Sequence, residues 1–161
     1  MNRRNLLLAV SALALAACAS TPPAPTTIAE TAQRTPELST LTRAIGAADL
    51  QATLAGPGPF TVFAPSDAAF AKLPKERLDA LLANKEQLRA VLTYHVVPGK
   101  VMAADVKNSR VKTVNGADVN LSKSGDLVGF EDALVIKANV DATNGVIHII
   151  DTVMLPPAPR R

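Results

Sequence analysis

Two histidines and one aspartate are the residues of this 161-residue chain best suited to acid–base or metal chemistry. His95 and His148 are the only histidines, and Asp151 follows His148 by three positions. Residues three apart in a strand point to opposite faces, so a direct His148–Asp151 pair is disfavoured. A zinc site needs three or four ligands, usually with a short local spacing that is missing here. We therefore predict no catalytic residue and no metal, and expect each histidine to form hydrogen bonds within a core.

Other motifs that carry chemistry are also missing from the sequence. No serine has the flanking glycines of a nucleophile elbow. Gly56-Pro57-Gly58 lacks the third glycine of a dinucleotide loop, and proline removes amides that would bind phosphate. There are four Phe, one Tyr, no Trp and no basic run longer than two residues, so nothing indicates a nucleic-acid partner. We predict a protein that is not an enzyme and has no cofactor.

The first segment that must position side chains runs from Phe60 to Pro74. Its β-branched and aromatic start predicts a strand that ends at Pro65, because proline cannot donate to a sheet ladder. Ser66 carries the side-chain oxygen of an N-cap, which predicts a short helix through Phe70 and Leu73.

The second segment runs from Asn144 to Pro156. Asn144-Gly145 is a turn signal, and the five residues that follow are β-branched except for His148. Since both alternating sets of positions in this strand are apolar, we expect a strand covered on both faces, with His148 among aliphatic neighbours.

In the rest of the domain, the spacing of the apolar residues changes from a helical pattern to a strand pattern along the chain. Three apolar faces predict helices in the first half, at Leu38/Leu41/Ile45, Leu78/Leu81/Leu82 and Leu88/Val91/Leu92. Pro74 and Asn84 separate them. Later, turns at Asn115-Gly116 and Ser124-Gly125 divide short apolar runs, which predicts antiparallel strands. Helices followed by strands, without regular alternation, indicate the α+β class.

These segments resemble the two signature segments of the fasciclin domain, an extracellular adhesion module, and Tyr94-His95 resembles that family's third short motif. The residues that carry the resemblance are Phe63, Pro65, Ser66, Phe70, Tyr94, His95, Asn144, Gly145, His148 and Asp151. The resemblance implies a wedge of two β-sheets with helices from the N-terminal half packed beside it.

The resemblance also implies a candidate interaction surface at Tyr94, His95, Asn139 and Val140. Animal members have an Asp-Ile pair, linked to integrin binding, where this chain has Asn139-Val140. The missing carboxylate argues against integrin recognition here. Tyr94-His95 is consistent with an adhesion surface, but ordinary core packing is the favoured interpretation.

The N-terminus predicts export. Arg3-Arg4 precede a run of 12 residues, Leu6 to Ala17, which is shorter than the roughly 20 apolar residues of a membrane span. The paired arginines also faintly resemble a twin-arginine signal. Leu15-Ala16-Ala17-Cys18 resembles a bacterial lipobox, so we expect lipid on Cys18, with cleavage by an ordinary signal peptidase as the alternative. Ala19 is not acidic, which favours the outer membrane or the cell surface.

These features divide the chain into a signal peptide (1–17), a lipidated cysteine with a Pro/Thr-rich extended tether (18–35), a fasciclin domain (36–157) and a tail (158–161). The formal charge of +3 falls to about +1 without the leader's two arginines.

We therefore expect a non-enzymatic, membrane-anchored adhesion module whose partner is a matrix, cell-surface or envelope protein or polysaccharide. The alternative is a periplasmic carrier or sensor of a small apolar ligand such as a lipid.

Overall fold

The computed structural model describes residues 26–156, and the first half of that range is mainly helical, as predicted. Its helices are α1 (Ile28–Arg34), α2 (Ser39–Ala47), α3 (Gln51–Leu54), α4 (Asp67–Ala71), α5 (Lys75–Ala83) and α6 (Lys85–Tyr94), with a 3-10 turn at Pro36–Leu38. The apolar faces predicted on α2 and α6 are buried. On α5, Leu81 is buried whereas Leu82 is exposed, because neighbouring residues of a helix point about 100° apart.

Polar side chains fix where several helices begin. Ser66 Oγ accepts a hydrogen bond from the Ala69 amide at 3.2 Å, which confirms the predicted N-cap of α4. Asp67, the next residue, caps a different helix. Its carboxylate accepts from the Thr40 amide at 2.7 Å and from the Ser39 hydroxyl at 2.6 Å. The start of α2 is therefore held by α4.

Strands from both halves of the chain form one seven-stranded mixed sheet. Its strands are β1 (Phe60–Pro65), β2 (Val96–Pro98), β3 (Ser109–Lys112), β4 (Asp118–Ser124), β5 (Leu127–Phe130), β6 (Ala133–Ala142) and β7 (Gly145–Ile150), in the spatial order β2-β1-β7-β6-β5-β4-β3. All neighbours are antiparallel except β1 and β7, which are parallel.

The α+β class is confirmed, but the expected wedge of two sheets is one continuous and nearly closed sheet. Strand β6 connects its two halves, because residues 133 and 134 pair with β5 while residues 135–142 pair with β7 across register shifts. The two edges approach each other where the Val114 amide donates to the Val96 carbonyl at 2.8 Å.

Helix α1 corrects the predicted extended tether. Residues 18–25 lie outside the described part of the chain, but Ile28–Arg34 is helical, and a capping box between Thr27 and Glu30 starts it. Ile28 is buried in the core beside α2 and α3. An extended tether through Thr35 is therefore wrong for residues 26–35, because the short helix is stabilised by burial of Ile28, Ala29 and Ala32.

The core has two parts, which share β1 and β7. One lies between the helices and the outer faces of these strands, and the other fills the curled half of the sheet. Every residue of β7 is buried, so the prediction of a strand covered on both faces is confirmed.

Candidate functional site

His95 lies at the C-terminal end of α6, where it is 1 % exposed. Its Nδ1–H donates to the Val91 carbonyl at 2.7 Å, and its Nε2 accepts from the Met154 amide at 3.1 Å. Since a carbonyl can only accept and an amide can only donate, these partners select the neutral Nδ1–H tautomer. Burial lowers the pKa of His95 from 6.5 to about 4, although the Val91 carbonyl acts in the opposite direction.

His148 lies in the middle of β7 and is held in the opposite tautomer. Its Nε2–H donates to the Val101 carbonyl at 2.8 Å, and its Nδ1 accepts from the Asn139 amide at 3.3 Å. Burial lowers the pKa of His148, and the bond to Val101 partly offsets this effect. Both histidines are therefore neutral connectors between backbone segments, with no ring nitrogen left for a substrate or a metal.

Aromatic rings join the two histidines. Phe63 stacks on Phe130 with ring centroids 4.3 Å apart. His148 stacks on Phe63 at 5.3 Å and His95 on Phe130 at 5.8 Å. Tyr94 meets the rings of both His95 and Phe130 edge-on. The motif residues of three different chain segments thus form one packed cluster.

Tyr94 is almost entirely buried, so its ring belongs to the core. Burial raises the pKa of its hydroxyl, and the charges of Glu131 and Asp132 raise it further. The neutral phenol is therefore favoured. Of the two interpretations left open for Tyr94-His95, the structure supports core packing.

Asn144 connects three elements through its side chain. Oδ1 accepts from the Ile28 amide at 2.9 Å, and Nδ2 donates to the carbonyls of Leu54 at 2.6 Å and Gly56 at 2.9 Å. The site joins the start of α1, the end of α3 and the start of β7. Only a primary amide offers this combination of acceptor and two donors on a short stem.

Gly145 follows with no room for a side chain. A Cβ at this position would lie 1.9 Å from the Phe60 carbonyl oxygen, in the paired strand β1. The glycine is required by this close approach of two backbones.

Asp151 acts as a backbone acceptor after the end of β7. Oδ1 accepts from the Leu134 amide at 2.9 Å, and Lys72 Nζ lies 3.2 Å from Oδ2. The bond from Leu134 is the main cause that lowers the pKa of Asp151, against the effect of burial, with a further contribution from Lys72. The carboxylate is not paired with His148, whose ring nitrogens bind backbone groups.

The candidate surface of four residues is mostly inaccessible. Tyr94 and His95 are buried, and Val140 is half-buried against the core. Asn139 alone is exposed; it has a φ of 57° at the β6 irregularity, and its Oδ1 accepts from the Ala103 amide at 2.9 Å. Its side chain therefore holds the loop after β2. A partner cannot contact His95 in this fold.

The remaining motif residues are structural too. Phe63 and Phe70 are core residues, and Pro65 ends β1 opposite Ile150. Between residues 26 and 156, no three His, Cys, Asp or Glu side chains lie close enough together to hold a metal ion. None of the helices in the same range has the length and apolar character that a bilayer crossing requires. Cys18 lies outside the described residues.

An apolar cavity lies between the helices and β1. It is lined by side chains that include Leu41, Ile45, Leu54 and Leu92, and its volume is about 30 Å³. Sites for drug-sized ligands are about 300–1,000 Å³. The cavity could hold one or two water-sized groups but not a lipid chain.

Taken together, the geometry defines a small α+β domain whose signature residues build and connect the core instead of forming a reaction centre. The fasciclin-domain family model matches residues 36–156. The chain belongs to the fasciclin family, a family of non-catalytic adhesion domains.

The comparisons with individual proteins agree. The chain is 48 % identical over 133 residues to Protein sll1483 of Synechocystis, a match that covers 81 % of this chain and 74 % of that protein. It is 39 % identical to the immunogenic protein MPB70 of Mycobacterium bovis, over 81 % of this chain and 69 % of the relative. It is 36 % identical to the cell surface glycolipoprotein MPB83 of the same species, over 81 % of this chain and 61 % of that relative.

A solved FAS1 domain pair from the insect cell adhesion molecule fasciclin I superposes with a TM-score of 0.68 at 18 % identity. The match covers 81 % of this chain and 51 % of the pair, so the chain spans about half of that structure. This likeness supports the fold.

Proposed function

We propose that this chain is a non-catalytic interaction module that is held at the bacterial envelope by lipid on Cys18. Its partner is a matrix, cell-surface or envelope protein or polysaccharide. The observation that carries the proposal is that the motif residues best suited to chemistry are buried and hydrogen-bonded within the fold. His95 and His148 are neutral and buried, and each has both ring nitrogens bound to backbone groups. What remains available to other molecules is the surface.

The lipid anchor is supported by the lipobox-like sequence before Cys18 and by a relative that is named a cell surface glycolipoprotein. Two or more acyl chains hold a protein stably on a membrane, whereas one chain binds only marginally. The anchor is tested by expressing the full chain and its Cys18→Ala variant in a bacterium that processes lipoproteins. Lipid-sized mass on the N-terminal peptide, and loss of membrane association in the variant, are expected. A free thiol at Cys18 in the mature protein would contradict the anchor.

The binding role is tested with beads that carry the purified protein and are exposed to envelope extract and to extracellular matrix. Saturable retention of a protein or polysaccharide is expected, and heat-unfolded protein on the same beads is the control. Retention that is equal for folded and unfolded protein would contradict a folded interaction module.

The cavity between the helices and β1, at about 30 Å³, is too small for the ligand of the carrier alternative, whereas two larger clefts, of about 370 and 460 Å³, are more open to solvent. An engineered apolar cavity that binds benzene has a volume of about 150 Å³. Native mass spectrometry of the purified protein checks this point: a bound lipid at one-to-one stoichiometry would favour the carrier.

A further inference from the structure

Three large apolar side chains lie together on the outside of the sheet. Leu127, Leu134 and Ile136 are 60 %, 49 % and 59 % exposed, more than the other large apolar side chains of residues 26–156. Leu134 is paired with Gly129 across β5 and β6. Because alternate residues of a strand share a face, Leu127 lies on the same side as Gly129. Ile136 lies two residues after Leu134, at the register shift between Val135 and Lys137, and is exposed as Leu134 is. We call these three residues the outer β5–β6 face.

The charges beside the outer β5–β6 face are acidic. Asp126 and Asp132 are both exposed, one directly before β5 and the other directly before β6. Neither takes part in any of the ion pairs found between residues 26 and 156. The two lysines nearest in sequence keep their charge but contact groups outside this face. Lys137 lies 3.9 Å from Glu37 on the helical side, and Lys123 donates to a backbone carbonyl at 2.7 Å.

The face also lies away from the start of the described chain. The Thr143 amide donates to the Thr26 carbonyl at 2.9 Å, which places Thr26 beside the last residues of β6. The face is at the first residues of β6, and a strand of this length extends roughly 25–30 Å. A chain held through its N-terminus would therefore present this face outward.

The size of the face limits its occupant. Three side chains are few compared with the roughly 20–30 residues per partner of a standard protein interface. A second copy of the chain would not form a stable dimer on this area alone. A short segment that inserts two or three apolar side chains fits better, and its weak binding would be strengthened when many copies share one surface.

We propose that the outer β5–β6 face binds a short protein segment that carries apolar side chains flanked by lysine or arginine. The inference rests on the proposed function and names the chemistry of its partner. Apolar contact with Leu127, Leu134 and Ile136 supplies the affinity, and the carboxylates of Asp126 and Asp132 select a cationic partner and speed its association.

The test uses two synthetic amphipathic peptides with the same leucines, one carrying lysine and the other glutamate at the polar positions. Each is titrated into the ¹⁵N-labelled protein, with amide shifts and the Kd as measurements. The lysine peptide is expected to shift amides of β5 and β6. The double substitution Leu134→Ser/Ile136→Ser should raise the Kd of the lysine peptide about tenfold or more, which is equivalent to about 1.4 kcal/mol. Leu82→Ser, at an exposed leucine on α5, is the matched control and should change nothing.

The charge requirement is tested with Asp126→Asn/Asp132→Asn. This variant should bind the lysine peptide more weakly, and its Kd should depend less on the salt concentration. Equal binding of the glutamate peptide would overturn the charge argument. Three results would overturn the assigned occupant. One is that the peptide shifts amides of the helices instead. The others are a dimer that Leu134→Ser/Ile136→Ser abolishes, and binding of lipid vesicles through this face without any peptide.

The same serine variant separates this inference from the broader proposal. If beads carrying it retain envelope material as well as the wild-type protein does, the interaction module stands and the outer β5–β6 face is not its site. If neither protein retains anything, the proposed function itself fails.

Discussion

The buried histidines predict that the domain loses stability in mild acid, with His95 as the main cause. The folded-state pKa of His95 is about 4, compared with 6.5 for the unperturbed side chain. Between these two values the unfolded chain binds a proton that the folded chain does not. The contribution of neutral His95 to the free energy of unfolding is therefore complete above about pH 6.5. It declines as the pH falls and is fully lost below about pH 4.

The magnitude follows from the shift. A difference of this size corresponds to about 3 kcal/mol of unfolding free energy in total, of which about 2 kcal/mol is already lost at pH 5. The main cause of the shift is burial of the ring, and the Met154 amide donates to Nε2 at 3.1 Å. A proton on that nitrogen would face a donor, so protonation breaks the link between α6 and the segment after β7. His148 has the same arrangement with the Asn139 amide and acts in the same direction.

Urea unfolding followed by far-ultraviolet circular dichroism, at pH 8, 7, 6 and 5 and constant ionic strength, measures the effect. Carboxylates with lowered pKa values, such as Asp67 and Asp151, lose their contribution only below their ordinary value of 3.8, outside this range. His95→Gln should be less stable at pH 8 but should lose about 2 kcal/mol less than the wild type on going to pH 5.

The wild-type protein also allows a direct measurement, which does not require the variant to fold. Nuclear magnetic resonance of the imidazole protons should show His95 still neutral at pH 5. Titration of the folded-state His95 near pH 6.5, or an unchanged loss of stability in His95→Gln, would refute the reasoning.

Three further predictions concern stability and are checked by urea unfolding at pH 7. Asn144→Ala should cost about 3 kcal/mol, because three hydrogen bonds disappear and their backbone partners stay partly buried; a cost below that of one ordinary hydrogen bond would contradict the connecting role. Gly145→Ala should cost about 3 kcal/mol or more, since its Cβ would meet backbone. The matched Gly46→Ala, in α2, meets only a side chain at 3.5 Å and should gain about 0.5–1 kcal/mol, so equal effects at the two glycines would argue against the close approach. Ser66→Ala should cost about 1 kcal/mol through the lost cap of α4, and an unchanged midpoint would count against that cap.

Local patterns in the sequence were sufficient for much of the fold. The periodicity of apolar residues predicted the helices and several strands, and Ser66 marked a helix start because its partner lies three residues away. The α+β class follows from the same local signals. The family resemblance added an order of segments that periodicity alone cannot supply.

Long-range contacts were not predictable in the same way. The Ile28–Asn144 bond joins residues 116 positions apart, and nothing near Ile28 indicates it. Likewise, the parallel pairing of β1 with β7 and the contact that nearly closes the sheet depend on chain segments that meet only after folding. The tether prediction failed for this reason, because α1 is too short to be stable without its docking site.

At the candidate site, the histidines were correctly expected to form hydrogen bonds in a core, whereas the proposed surface at Tyr94 and His95 was not accessible. A motif identifies which residues a family shares but does not distinguish packing from binding. Leu127, Leu134 and Ile136 could not be singled out, since exposure depends on which face of a strand meets the core.

Asn144 has a consequence for how the domain would respond to a pulling force. A pull on the chain ahead of Thr26 reaches the sheet through the Thr26–Thr143 bond and the Ile28–Asn144 bond, which lie side by side at the start of β7. Strand β7 is central and fully buried, so the load is passed to the interior of the fold and not to an edge that could peel. Under load, the separation of α1 should therefore precede rupture of the sheet, and the Asn144 side chain forms one of the two hydrogen bonds that resist it.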